Sequence, residues 1–388
     1  MLSLFGYRSK KVRLHSNMAH KILYITNGIS GPGGLERVLS IKASYLADHL
    51  NYEVFILTLN QNTEGLFYHF SNKIKYHNIQ ARGNPIKYFI QYRSGIKKYI
   101  NHINPDIILV CDDGLKGFFT PFIIGKYCPM IYERHASKNI FIKRDNSNIF
   151  LKLKFKILNR LMHVGACKYD AFVVLTKDNL TEWNLHNLKV IPNPLSFYPK
   201  EKSSLINKRV ISVGNHGFQK GFDRLLQSWK LIVNKHPDWI LEIYGKIDKE
   251  KKHIKLAEKL GISENVLFFK PVKNIQDKYK EASIYALSSR SEGFGMVLIE
   301  AMAYGIPCVA FDCPCGPSGI ISNGVNGFLV PNGDITALSD KINKLIEDEP
   351  LRKSMGYKAR IDVKRYLPDK IVSEWDQLFK DILSTKII

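Results

Sequence analysis

Residues 291–330 read SEGFGMVLIEAMAYGIPCVAFDCPCGPSGIISNGVNGFLV. Glu292 is followed by Gly293-Phe294-Gly295, a turn that lets backbone come close to a neighbour, and then by a run of good helix formers from Met296 that stops at Gly305 with Pro307 beyond. Met296, Val297, Leu298, Ile299, Ala301, Met302 and Ala303 leave that helix almost no polar face, which predicts burial. Glu300 lies inside it. A lone buried carboxylate is costly unless it is paired or hydrogen-bonded. Glu300 therefore calls either for a Lys, an Arg or a backbone N–H, or for a ligand that brings hydroxyls. The glycine turn opens onto a helix N-terminus, where free N–H groups and the helix dipole favour an anion, and Glu292 stands at that opening. Hydroxyls and phosphate together suggest a nucleotide-sugar.

Outward from this stretch, the chain alternates strand-like and helical runs. Strands are predicted over 21–26, 53–59, 106–111, 130–134, 171–175 and 189–192, then again over 209–214, 240–244, 266–269, 284–287 and 308–311, with an amphipathic helix at 375–383. This alternation argues for doubly wound parallel sheets. The polar segment 198–208 separates two series, giving domains at 18–198 and 199–366 and a last helical segment at 367–388. In open sheets of this kind, sites lie at the carboxyl ends of strands. Asp112, Asp113, Thr176 and the Glu133-Arg134-His135 corner are candidates by that position. His135 there either caps and fills or touches a ligand. After the first strand comes a glycine loop, Gly31-Pro32-Gly33-Gly34-Leu35-Glu36-Arg37, which by itself is compatible with a phosphate site or with a tight turn.

Several of these segments resemble one family. Glu292 and Glu300, with Gly-Phe-Gly after the first and Glu-Ala-Met at the second, are similar to the E-x7-E signature of family-4 glycosyltransferases, retaining enzymes of the GT-B fold. The loop around Gly33 and Gly34 resembles the family's G-G-x-E-R loop, and residues 213–223 resemble its V-G-R-x-x-x-x-K-G-F-D segment. In that segment Asn215 stands where the family has Arg, and Lys220 is kept.

The resemblance implies an α/β protein of two Rossmann-like doubly wound domains facing across a cleft, with the C-terminal helix returning to the first domain. It implies transfer of a hexose or N-acetylhexosamine from a nucleotide-sugar donor, a UDP-sugar, to a lipid-linked or polysaccharide (glycan) acceptor by front-face attack, with no cofactor and no metal. Glu292, His135 and Lys220 are the implied catalytic residues. Gly33, Gly34, Asn215, Lys220, Gly293, Phe294, Gly295, Met296, Val297 and Glu300 are the implied donor-binding residues, Glu300 on the ribose. The alternatives are a nucleotide-sugar epimerase of the same fold and a basic nucleic-acid-binding protein.

Composition narrows these. The 388 residues are 45% hydrophobic, enough for two cores, and carry 57 Lys and Arg against 35 Asp and Glu, a net charge of +22. That charge predicts a polyanionic partner. No helix-turn-helix, zinc or repeated aromatic signature favours nucleic acid, so an anionic membrane surface is expected. Residues 137–167 interleave Lys138, Lys143, Arg144, Lys152, Lys154, Lys156 and Arg160 with bulky apolar side chains, a pattern of headgroup-layer segments and of solvated helices alike. Lys97 and Lys98 beside Tyr88, Phe89 and Tyr92 form a second such patch. No run is long and apolar enough to span a bilayer, and no signal-peptide core is present, which predicts a cytoplasmic protein peripheral to the membrane's inner face. Residues 1–17 read as a basic N-terminal extension or tail, with the start at either Met1 or Met18. The six cysteines sit in apolar surroundings suited to reduced thiols, and Cys313-Pro-Cys315 lacks a second pair at zinc spacing, so no metal site is expected.

Overall fold

In this computed structural model, residues 19–61, 65–138 and 149–385 are described; the basic extension and part of the basic segment after Ser137 fall outside them. The first domain is a seven-stranded sheet of Lys21–Thr26 (β1), Glu53–Leu59 (β2), Lys75–Ile79 (β3), Ile107–Cys111 (β4), Met130–Glu133 (β5), Ala171–Val174 (β6) and Leu188–Val190 (β7), in the order β3-β2-β1-β4-β5-β6-β7. The second is a six-stranded sheet of Arg209–Val213 (β8), Ile240–Tyr244 (β9), Val266–Phe269 (β10), Ile284–Leu287 (β11), Cys308–Asp312 (β12) and Gly327–Pro331 (β13), in the order β10-β9-β8-β11-β12-β13. All the strand pairs are parallel. Central strands such as KILYIT and IILVC are buried along nearly their whole length because helices cover both faces, which is why they read as continuous apolar runs. In both sheets the strand order reverses beside the first strand, so both domains are doubly wound, as the alternation predicts, and they face each other across a cleft, as the resemblance implies.

Two strands have no counterpart in the expectations from sequence. β3 is an edge strand with only Ile79 buried, so its KYHNI carries no apolar signal. β13 lies in the glycine-rich end of the opening stretch, where turn residues mask a short buried run. β7 covers Leu188–Val190, slightly earlier than 189–192.

One apolar cluster runs without a break through both domains, from Ile22 and Leu39 to Leu298, Met302 and Trp375. The helix Met296–Ala303 sits within it, which explains its lack of a polar face. The last helix, Pro368–Ser384, packs on the first domain's opening helix, Gly34–His49. Tyr52 Oη donates to Asp376 at 2.6 Å, and the Lys42 ammonium lies 3.9 Å from the Trp375 ring centroid. All six cysteines are free thiols. Among the described residues, no helix is long and apolar enough to cross a membrane.

Candidate functional site

A cavity of about 410 Å³ opens between the carboxyl ends of the two sheets. Its walls include Gly33, Gly34 and His135 from the first domain and Asn215, Lys220, Glu292, Gly293, Phe294, Gly295, Met296 and Val297 from the second. The catalytic and donor-binding residues that the resemblance implied therefore converge on one cleft, with the exception of Glu300. Two glycines have geometric reasons. A Cβ on Gly293 would sit 1.8 Å from the His135 carbonyl oxygen, so the seam between the domains closes only around a bare Cα there. Gly295 begins the helix with φ +104, the left-handed region that other residues resist.

Lys220 ends a short 3₁₀ turn and sends its ammonium to Glu292 Oε1 at 2.8 Å. Ser289 Oγ donates to the same oxygen. The Glu292 side chain is 8% exposed and that of Lys220 22%, so the pair faces the cavity while remaining largely desolvated. Asn215 is exposed and its Oδ1 accepts from the Lys246 amide at 3.2 Å. Arg37 and Lys220 are the Arg and Lys residues among those lining the cavity.

Glu300 lies one layer behind the wall and is fully buried. It accepts from the Arg37 guanidinium, from Ser196 Oγ at 2.9 Å and from Tyr279 Oη at 3.3 Å. Of the two solutions that sequence left open, the structure contains the ion pair, with a partner from the other domain. Burial pulls the Arg37 guanidinium down, and the adjoining carboxylate more than offsets this, so Arg37 ends above its ordinary value. Burial, then Glu300, pushes the Tyr279 phenol up.

His135 follows β5. Its backbone N–H donates to Asp113 Oδ1 at 3.2 Å, and its Nε2 lies 3.3 Å from Glu133 Oε1. Glu133 in turn pairs with Lys42 and accepts from the Cys111 thiol at 3.3 Å. The Lys42 and Glu133 side chains are 1% and 2% exposed. Burial raises the Glu133 carboxyl, but Lys42 and His135 outweigh it and hold it well below the usual carboxylate range. Asp113 lines the cavity and pairs with Arg134 at 2.9 Å. Asp112 pairs with Lys116, and Thr176 bonds Asn179; neither lines the cavity.

Lys42, Ser196 and Tyr279 carry no local signal that marks them, and Arg37 was visible only as part of a loop motif. Each acquires its role by meeting a residue far away in the chain. Among the described residues, two groups of three side chains bring possible metal-donor atoms within 4.8 Å of one another: Cys111, Glu133 and His135, and His216, Asp248 and His253. The first already holds a cation in Lys42. In the second, His216 packs against Phe222 and Phe268, with both ring nitrogens buried and unpaired.

Residues 199–362 match the family described as Glycosyl transferases group 1. An uncharacterized glycosyltransferase of Haemophilus influenzae is 30% identical over 361 residues, spanning 92% of this chain and 98% of its own. The amylovoran biosynthesis glycosyltransferase AmsD of Erwinia amylovora is 29% identical over 373 residues, 92% of this chain and 99% of its own. Among solved structures, sucrose-phosphate synthase of Thermosynechococcus elongatus superposes with a TM-score of 0.79 at 17% identity, covering 94% of this chain and 100% of that one. Anabaena HepE in complex with UDP-glucose gives 0.72 at 19% identity, covering 94% and 99%. These neighbours share the GT-B fold, two Rossmann-like domains about a cleft, which is the architecture found here. With that fold and a relative of nearly equal length at 30% identity, the chain belongs to the group 1 glycosyltransferases.

Proposed function

We propose that the protein is a retaining, family-4 glycosyltransferase that moves a hexose or N-acetylhexosamine from a UDP-sugar to a lipid-linked or polysaccharide acceptor at the inner face of the cell membrane. The observation that carries this reading is the Lys220–Glu292 pair at the point of the cleft where the Gly33-Gly34 loop and the N-terminus of Met296–Ala303 meet. A departing nucleoside diphosphate needs fixed positive potential, and Lys220 with the free amides of that helix end supplies it without a divalent ion. Glu292 holds the sugar hydroxyls, and His135 lies across the cleft for the sugar or the acceptor. Glu300 receives the ribose when Arg37 turns away from it.

Among the described residues, the carboxylates that line the cavity are ion-paired, Glu292 with Lys220 and Asp113 with Arg134. The acceptor hydroxyl attacks the anomeric carbon on the face that the diphosphate leaves, the course that the family resemblance implies. The bond from that carbon to the phosphate oxygen breaks, the new bond to the acceptor oxygen forms, and the hydroxyl proton passes to the leaving phosphate. The anomeric configuration is kept.

The surface-polysaccharide acceptor is supported by relatives named for amylovoran biosynthesis and, in Salmonella typhimurium, for lipopolysaccharide 1,6-galactosyl transfer. Membrane docking is supported by the helix Ile149–Ala166, where Phe150, Leu153, Ile157, Leu161 and Val164 stand exposed along one stripe flanked by Lys152, Lys154 and Lys156. The direct test incubates the protein with UDP-, GDP- and ADP-sugars and reads nucleotide release. Slow release of UDP from one UDP-sugar is expected, undiminished by a chelator. Folded protein that releases nothing and binds no nucleotide would overturn the reading.

A further inference from the structure

A second set of buried charges stands behind His135, outside the residues that line the cavity. Lys42 and Glu133, 91 positions apart, form an ion pair in the first domain's interior. The Lys42 ammonium is held from its other sides by the faces of Trp375, at 3.9 Å, and Tyr24, at 5.3 Å. Trp375 belongs to the last helix, so the chain's C-terminal segment completes this arrangement. Buried ion pairs gain little stability over apolar side chains of similar volume, because desolvation offsets their attraction. Stability alone does not account for the pair, and its position gives another reason.

Glu133 has two carboxylate oxygens with different partners. Oε2 receives Lys42 and the Cys111 thiol, whereas Oε1 faces His135 Nε2 at 3.3 Å. That contact is not yet aligned as a hydrogen bond, as is common for active-site groups before substrate binds. His135 Nε2 is fully buried, which leaves Nδ1 as the ring nitrogen able to face the cavity. An ionised carboxylate only accepts hydrogen bonds, so a neutral ring that donates to Oε1 must carry its proton on Nε2 and keep a lone pair on Nδ1. The main chain of His135 is fixed independently by the bond to Asp113 and by its carbonyl's close approach to Gly293.

We propose that Glu133, kept ionised by Lys42 beneath Trp375, is a positioning residue that fixes the tautomer and orientation of His135 so that Nδ1 accepts a hydrogen bond from a hydroxyl of the transferred sugar or the acceptor. This rests on the transferase reading for its kinetic consequence but not for its structural one. Glu133→Gln keeps the shape and replaces one acceptor oxygen with a donor NH₂, removing the demand for a proton on Nε2.

Two measurements test it. The first is the side-chain ¹⁵N spectrum of His135 in the intact protein, which distinguishes the two neutral tautomers. The Nε2–H form is expected in the wild type, and its bias is expected to be lost in Glu133→Gln. The second is a kinetic cycle with His135→Ala. Glu133→Gln alone should lower kcat by about a hundredfold with little change in the donor KM, as expected for a misplaced reacting group. In the His135→Ala background it should add a loss within about twofold. Should Glu133→Gln fail to fold with Lys42 left unpaired, the neutral double variant Lys42→Met/Glu133→Gln takes its place in both measurements. An Nδ1–H ring in the wild type, full kcat in a folded variant, or an equal loss with and without His135 would each overturn the proposal. If the Nε2–H tautomer is found while no nucleotide-sugar is turned over, the transferase reading fails and the positioning of the ring stands.

Discussion

Arg37 and Glu300, 263 positions apart, pair across the interdomain cleft, with Glu300 buried and the Arg37 side chain 18% exposed. The pair occupies the carboxylate that we assign to the donor ribose, so donor and Arg37 compete for it. Glu300→Ala is expected to weaken UDP binding about ten- to a hundredfold, the effect of losing a charge-assisted hydrogen bond of about 1.5–3 kcal/mol. Calorimetric titration with UDP measures it. Unchanged affinity in a folded variant would remove the ribose from Glu300 and leave only the ion pair.

Arg37→Ala separates the structural share of the same contact. It leaves a buried carboxylate with Ser196 and Tyr279 as its remaining partners, a change of the class that costs about 3–5 kcal/mol. The denaturation midpoint should drop accordingly, while Arg37→Met combined with Glu300→Gln recovers most of it. A midpoint unmoved by Arg37→Ala would show that the ion pair carries no stability.

Lys220 is expected to matter more in the transition state than in the ground state, because charge on the diphosphate grows as it leaves. Lys220→Ala should therefore reduce kcat more than it raises the donor KM. Steady-state kinetics on the preferred UDP-sugar decides this, and a variant changed in KM alone would place Lys220 in ground-state binding only.

Asn215 stands exposed at the cavity wall where the resembling family has Arg, and the Arg and Lys lining that cavity are Arg37, engaged with Glu300, and Lys220, engaged with Glu292. Asn215→Arg should tighten UDP binding, more at low salt than at high salt, through a bidentate phosphate contact. Weaker binding by the folded variant would mean that another cation already serves the diphosphate.

The exposed stripe of Ile149–Ala166 should bind anionic vesicles with a steep salt dependence, since each basic side chain contributes about 1 kcal/mol at the surface and is screened. Neutralising Lys152, Lys154 and Lys156 together should release the protein in a sedimentation assay. Undiminished pelleting of the triple variant would make this helix an ordinary solvated surface.

How much of this was legible in the chain differs from residue to residue. The alternation of apolar runs with helical periods determined two parallel-sheet domains, because burial on both faces of a sheet leaves its signature within a few consecutive residues. The glycines at 293 and 295 were readable as a close-approach turn for the same local reason, although only the structure shows that the neighbour at Gly293 is the His135 carbonyl. Glu300 was readable as a buried carboxylate in need of a partner. Which partner it has was not readable, since a helical period reports that a side chain faces inward and says nothing of the segment it meets there. Arg37 on Glu300, and Lys42 on Glu133 beneath Trp375, were decided by the docking of distant elements on one another. The edge strand β3 escaped for the converse reason: its pairing with β2 supplies the order that its own side chains, mostly solvated, do not encode.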